Sequence, residues 1–151
     1  MGADIYLVKK RRYRPKDMED DEDWDSEQWD EVKSVYRFSF GYGMPVLPFA
    51  DKYAECDGTV LTHSEVRKKA REFHREFCDW ARKKAFISVQ PKMHGKGTEE
   101  HYWLGSNPES WVYGNPDNPM TKDEADRFRN TMRILNCYMA ASALGCGLAL
   151  R

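Results

Sequence analysis

Residues Val32–Phe40 read VKSVYRFSF. Val32, Ser34, Tyr36, Phe38 and Phe40 fall on one side of a period of two; Lys33, Val35, Arg37 and Ser39 fall on the other. Alternate residues of a strand point to opposite faces, so the pattern predicts a β-strand with an aromatic core face. Toward the N-terminus, Ala3–Lys9 (ADIYLVK) sets Ile5 and Leu7 against Tyr6 and Val8 and predicts a first strand. In the other direction, Gly41–Pro48 (GYGMPVLP) cannot continue a central strand, because Pro45 and Pro48 lack donors and the glycines invite bends. Phe49–Cys56 fits a short helical turn, and Asp57-Gly58 a tight turn.

Two long helices complete the frame. Thr62-His63-Ser64-Glu65 has the form of a capping box, in which the Thr62 hydroxyl accepts from a free amide and Glu65 reaches back. It opens a helix over about His63–Ala85, with Val66, Ala70, Phe73, Phe77, Ala81 and Ala85 as an apolar stripe. Lys and Arg outnumber Asp and Glu in that span, so its outer face is basic. Thr121-Lys122-Asp123-Glu124 repeats the box and opens a helix through Leu144, with Gly145 as C-cap. Its stripe reads Ala125, Phe128, Met132, Leu135, Met139 and Ser142. Ile134–Leu144 is apolar nearly all round, which predicts burial in the fold or in a homo-oligomer.

Between the helices, Phe86–Met93 and Thr98–Leu104 could pair as a hairpin around His94-Gly95-Lys96-Gly97, with Ser106–Pro119 an ordered loop. The order strand, strand, helix, hairpin, helix predicts an α+β fold: a small antiparallel sheet packed against two long amphipathic helices. The 151 residues suffice for one domain with a real core. Aromatics at 13% beside 32% charged residues exclude disorder over most of the length. Cys56, Cys78, Cys137 and Cys146 form no C-x-x-C pair, which reads as a reduced, intracellular chain without disulfides. No apolar run is long enough to span a membrane, and MGADIY has Tyr6 where a myristoylation signal places Ser or Thr, so the expected location is the cytoplasm.

Charge is sharply divided. Lys9–Lys16 (KKRRYRPK) carries no acid, and Asp17–Glu31 then carries no base. Glu19–Glu31 reads EDDEDWDSEQWDE, an exposed acidic loop expected over about 14–31 that holds two tryptophans. A solvated charge run has no need of indole rings, whereas rings anchor interfaces. Asp20, Asp21, Asp23, Trp24, Asp25 and Trp29 are therefore the candidate partner-binding residues, suited to a basic site on another protein. Asp21, Asp23 and Asp25 fit the first positions of a calcium loop, but Ser26 stands where glycine is needed and Val32 where a bidentate Glu is needed. No metal or cofactor is expected.

Three further chemistries are open. Arg37, Tyr42, Arg71 and Arg75 could hold a nucleotide by stacking and ion pairing. His94 and His101, on either side of the expected hairpin turn, could act as acid and base on a phosphoester. His74 and Cys78 share a helical face at a spacing suited to two metal ligands, with Cys56 and His63 as possible completions. Direct nucleic-acid binding is not expected, since the chain is near neutral and lacks a recognisable reading motif. The composite expectation is a binding protein rather than an enzyme.

Met1–Leu7 (MGADIYL), followed by a polar loop and the aromatic Ser34–Tyr42 strand, resembles small accessory proteins encoded by bacteriophages and prophages. The resemblance implies a protein acting in an infected bacterial cytoplasm, inhibiting host defence by binding a defence enzyme or sequestering its nucleotide signal. It assigns no role to any residue, and the acidic insert departs from it.

Overall fold

The computed structural model describes residues 2–10, 29–32, 37–87, 111–114, 118 and 120–151. The fold is α+β, as the sequence predicts. Strand β1 (Gly2–Lys10) is the centre of a five-stranded antiparallel sheet. One edge of β1 pairs with β7 (Gly147–Leu150), which in turn pairs with β4 (Val60–Leu61). The other edge is shared end to end by β2 (Trp29–Glu31), opposite Val8–Lys10, and β3 (Arg37–Gly41), opposite Gly2–Tyr6. Within the described residues, the expected strand Val32–Phe40 is strand at Arg37–Phe40 alone, in β3; β2 lies before it, in the stretch expected as exposed acidic loop. Residues 33–36 lie outside the described residues.

Alternation gives the sheet two faces. Ile5, Leu7, Phe38, Leu61, Leu148 and Leu150 point inward and join the main core. Tyr6, Val8 and Ala149 point outward and form a small second cluster with Trp29 and Val60. Strand β7, GLAL, was not predicted. It is too short to show a period and every residue in it is buried, with leucines inward and small residues outward.

Helices α2 (His63–Arg82) and α3 (Lys122–Leu144) pack together on the inner face. Both capping boxes are formed, with Thr62 accepting from the Glu65 amide at 3.3 Å and Thr121 from the Glu124 amide at 3.1 Å. Gly145 ends α3 in the left-handed region at φ 69°, the conformation that favours glycine. A 3-10 turn (Pro48–Ala50) and the short α1 (Asp51–Ala54) bring Tyr53 into the core. There the Tyr53 ring stacks on Phe73 at 4.2 Å, Tyr138 meets both edge-on, and the Tyr138 hydroxyl donates to the Tyr53 carbonyl at 2.8 Å. Burying side chains of this size contributes on the order of 1.5–3 kcal/mol each.

Three expectations are corrected. Helix α2 ends at Arg82, and Ala85 belongs to β5 (Ala85–Ile87). The partner of β5 is β6 (Trp111–Gly114), within the stretch read as loop, rather than Thr98–Leu104, which lies outside the described residues. In α3, Met132 and Met139 are solvent-exposed, while Thr131, Ile134 and Tyr138 are buried. Thr131 is tolerated inside because its hydroxyl accepts from the Leu47 amide and donates to the Arg127 carbonyl.

Candidate binding surfaces

The outer face of the sheet carries a polar cluster built by strand register. Asp4 stands opposite Ser39 and Tyr6 opposite Arg37. The Arg37 guanidinium donates to Asp4 at 2.7 Å and to Glu31 at 2.9 Å, and its Cζ lies 4.8 Å from the Tyr6 ring centre. Ser39 donates a short hydrogen bond to the other Asp4 oxygen. The Ser39 hydroxyl first, and the Arg37 guanidinium second, hold the Asp4 carboxyl below its ordinary value of 3.8. Arg37 is therefore occupied by two carboxylates and a ring of its own chain.

Trp29 also lands on this face. Half-buried at the end of β2, it packs with Tyr6, Val8 and Ala149. Glycine at 147 makes room for it: a Cβ there would stand 3.0 Å from Trp29 Cζ3. At least one indole of the acidic run is thus engaged by the protein itself. Asp20, Asp21, Asp23, Trp24 and Asp25 lie outside the described residues, as do His94 and His101.

A second surface lies on α2. Arg67, Lys68, Arg71 and Arg75 are exposed and, with Ser64 and Glu72, line an open depression of about 470 Å³. They occupy the side of the helix away from Val66, Ala70 and Phe73, which face the core. Glu76, further along the same helix, is held by Lys52 at 2.7 Å. Because α2 covers the inner side of the sheet and Arg37 lies on the outer side, Arg37 is not brought together with Arg71 and Arg75. Tyr42, in the turn after β3, is 63% exposed.

Burial, then the Asp4 carboxylate, raises the Cys56 thiol, and burial pushes Cys137 up to about 12. Cys78 Sγ does sit 3.6 Å from His74 Nε2, so that pairing is real. The expected completions are elsewhere: His63 contacts the Ser142 carbonyl and Cys56 donates to the Asp4 carbonyl. Among the described residues no group of three metal-ligating side chains occurs, all four cysteines are free, and no helix is long and apolar enough to cross a membrane.

Sequence reading missed Asp4 and Glu31 as the holders of Arg37, because strand register is not written in local spacing. It found the basic side of α2 from the excess of Lys and Arg over Asp and Glu opposite the apolar stripe. Comparison with known proteins adds no relative: no family model, no curated protein and no solved structure matches this chain.

Proposed function

We propose that this chain is a phage-encoded binding protein that acts in the bacterial cytoplasm, inhibiting a host defence system by docking its acidic-aromatic segment on a basic site of a host protein. The supporting observation is the pairing of β1 with β2, which sets Lys10 opposite Trp29. The chain between them leaves and re-enters the sheet at adjacent residues, and that chain holds Trp24 and most of the acid. Functional loops gain precision when a rigid scaffold fixes both ends. Clustered carboxylates also speed encounter with a basic partner. Self-association through the exposed Met132 and Met139 of α3 is part of the proposal.

The nucleotide-sequestering alternative draws less support, since Arg37 is committed to Asp4 and Glu31 and stands apart from Arg71 and Arg75. The phosphoesterase alternative rests on His94 and His101, outside the described residues. The test is capture from bacterial lysate by the tagged chain beside a variant with Asp20, Asp21, Asp23, Trp24 and Asp25 changed to Ser. Trp29 is left intact, because removing it would disturb the sheet as well as the segment. A stoichiometric protein held by the first and lost by the second is the expected result. Equal retention by both would refute docking through this segment.

A further inference from the structure

Several cations on or beside the described helices hold a carboxylate. Arg82 holds Asp79, Arg127 holds Asp123, Arg129 holds Asp126, Lys84 holds Glu124 and Lys52 holds Glu76. The stretch Arg67–Arg75 of α2 makes no such pair among the described residues. Arg67, Lys68, Arg71 and Arg75 make no ion pair with any described residue, and Glu72 is the one carboxylate lining their depression. Arg67, Arg71 and Arg75 follow one another at four-residue steps. Like charges at that spacing destabilise a helix, a cost that Glu72, four residues from Lys68 and three from Arg75, offsets only in part.

A four-residue step along a helix rises about 6 Å. The guanidiniums therefore form a ladder about 12 Å long, with Lys68 beside it. A compact ligand asks for groups converging in an enclosed pocket, partly apolar, and this depression is open and lined by one helix. A ladder fits a linear polyanion with regularly spaced charges. Guanidiniums hold phosphate oxygens with two parallel donors, and a nucleic-acid backbone presents such groups at fixed, regular steps that a flexible acidic peptide does not. The near-neutral total charge does not oppose this, because counterion release depends on the contacts made locally and not on the sum over the chain.

We infer that the Arg67–Lys68–Arg71–Arg75 face of α2 binds the phosphodiester backbone of nucleic acid without reading its sequence. This is independent of docking through the acidic segment, and different residues carry it. Among the described residues that line this face, none is an aromatic ring on which a base could stack.

The experiment is fluorescence anisotropy of a short labelled DNA duplex titrated with the full chain, repeated at several salt concentrations. Four phosphate contacts give a log–log slope of about −3.6, so affinity should fall roughly a hundredfold between 50 and 200 mM salt. The informative variant is Arg71→Glu. It replaces two like-charge contacts, to Arg67 and Arg75, with two attractive ones, so its melting temperature should stay level or rise. The variant should bind at least about tenfold more weakly, with a slope closer to zero. No anisotropy change in wild type at 50 mM salt would overturn the inference. So would unchanged binding by Arg71→Glu, which would place the DNA elsewhere on the molecule. Poly-glutamate displacing the duplex as well as unlabelled DNA does would also overturn it, since the face would then read negative charge and not phosphodiester.

Discussion

A Cβ at Gly147 would stand 2.5 Å from the Leu61 carbonyl oxygen, a backbone atom of the neighbouring strand, and 3.0 Å from Trp29 Cζ3. The outer face of the sheet closes only because this side chain is missing. Gly147→Ala should therefore destabilise the fold by about 1–3 kcal/mol, the usual range for overpacking, and urea denaturation will show it as a lower midpoint. If the midpoint holds, β4 and β7 can separate more easily than their register implies. On the same face, Asp4 sets an acid dependence. Its carboxyl titrates below the ordinary 3.8 in the folded chain, so the stability it contributes is present above that value and is lost as pH falls through the depressed one. Asp4→Asn removes the titration. Its melting temperature should accordingly drop less than that of wild type on going from neutral pH to below the ordinary carboxylate value. Parallel drops in the two proteins would mean that the Asp4–Arg37–Ser39 cluster does not hold in solution.

At the scale of elements, the capping boxes make the firmest link from residue pattern to structure. Replacing Thr62 by Ala removes the acceptor for the Glu65 amide and should cost about 1 kcal/mol, whereas Thr62→Ser should cost little; chemical denaturation of the pair separates hydroxyl from methyl. Both boxes could be read from four residues because their bonds are local. The stripe of α2 was equally legible, since Val66, Ala70 and Phe73 face inward as their spacing predicts. The end of α2 was not. Lys83 and Lys84 are good helix formers, but Asn118 bonds the Lys83 carbonyl and Glu124 holds Lys84, so contacts distant in sequence turn the chain into β5. In α3, hydropathy assigned Met132 and Met139 to the core and overlooked Thr131, which is inside only because Leu47 and Arg127 satisfy its hydroxyl. The candidate surfaces divide the same way. The cation ladder of α2 follows from spacing within one helix, whereas the clasp on Arg37 needed the register of three strands.

Over the whole molecule, the decisive relation is between the acidic segment and the sheet from which it departs. Lys10 and Trp29 are paired, so the 18 residues 11–28 could be replaced by an Asn-Gly turn suited to a tight hairpin. Closing a loop costs entropy that grows with the logarithm of its length, and shortening from 18 residues to two should stabilise the fold by about 2 kcal/mol. That gain is expected only if the excised residues contribute nothing to packing, which makes stability itself a readout. A higher melting temperature together with loss of the captured host protein would mark the segment as an arm held for a partner, at a cost to the fold. A lower melting temperature would mean that its tryptophan or carboxylates are bound to the body of the protein, as Trp29 already is. The docking proposal would then give way to a structural role for the segment. The DNA titration adds an independent coordinate: excision leaves Arg67, Lys68, Arg71 and Arg75 in place, so the shortened chain should bind duplex at least as tightly as wild type. Tighter binding would show the acidic segment competing with DNA for the ladder, joining the two charged surfaces in a single equilibrium.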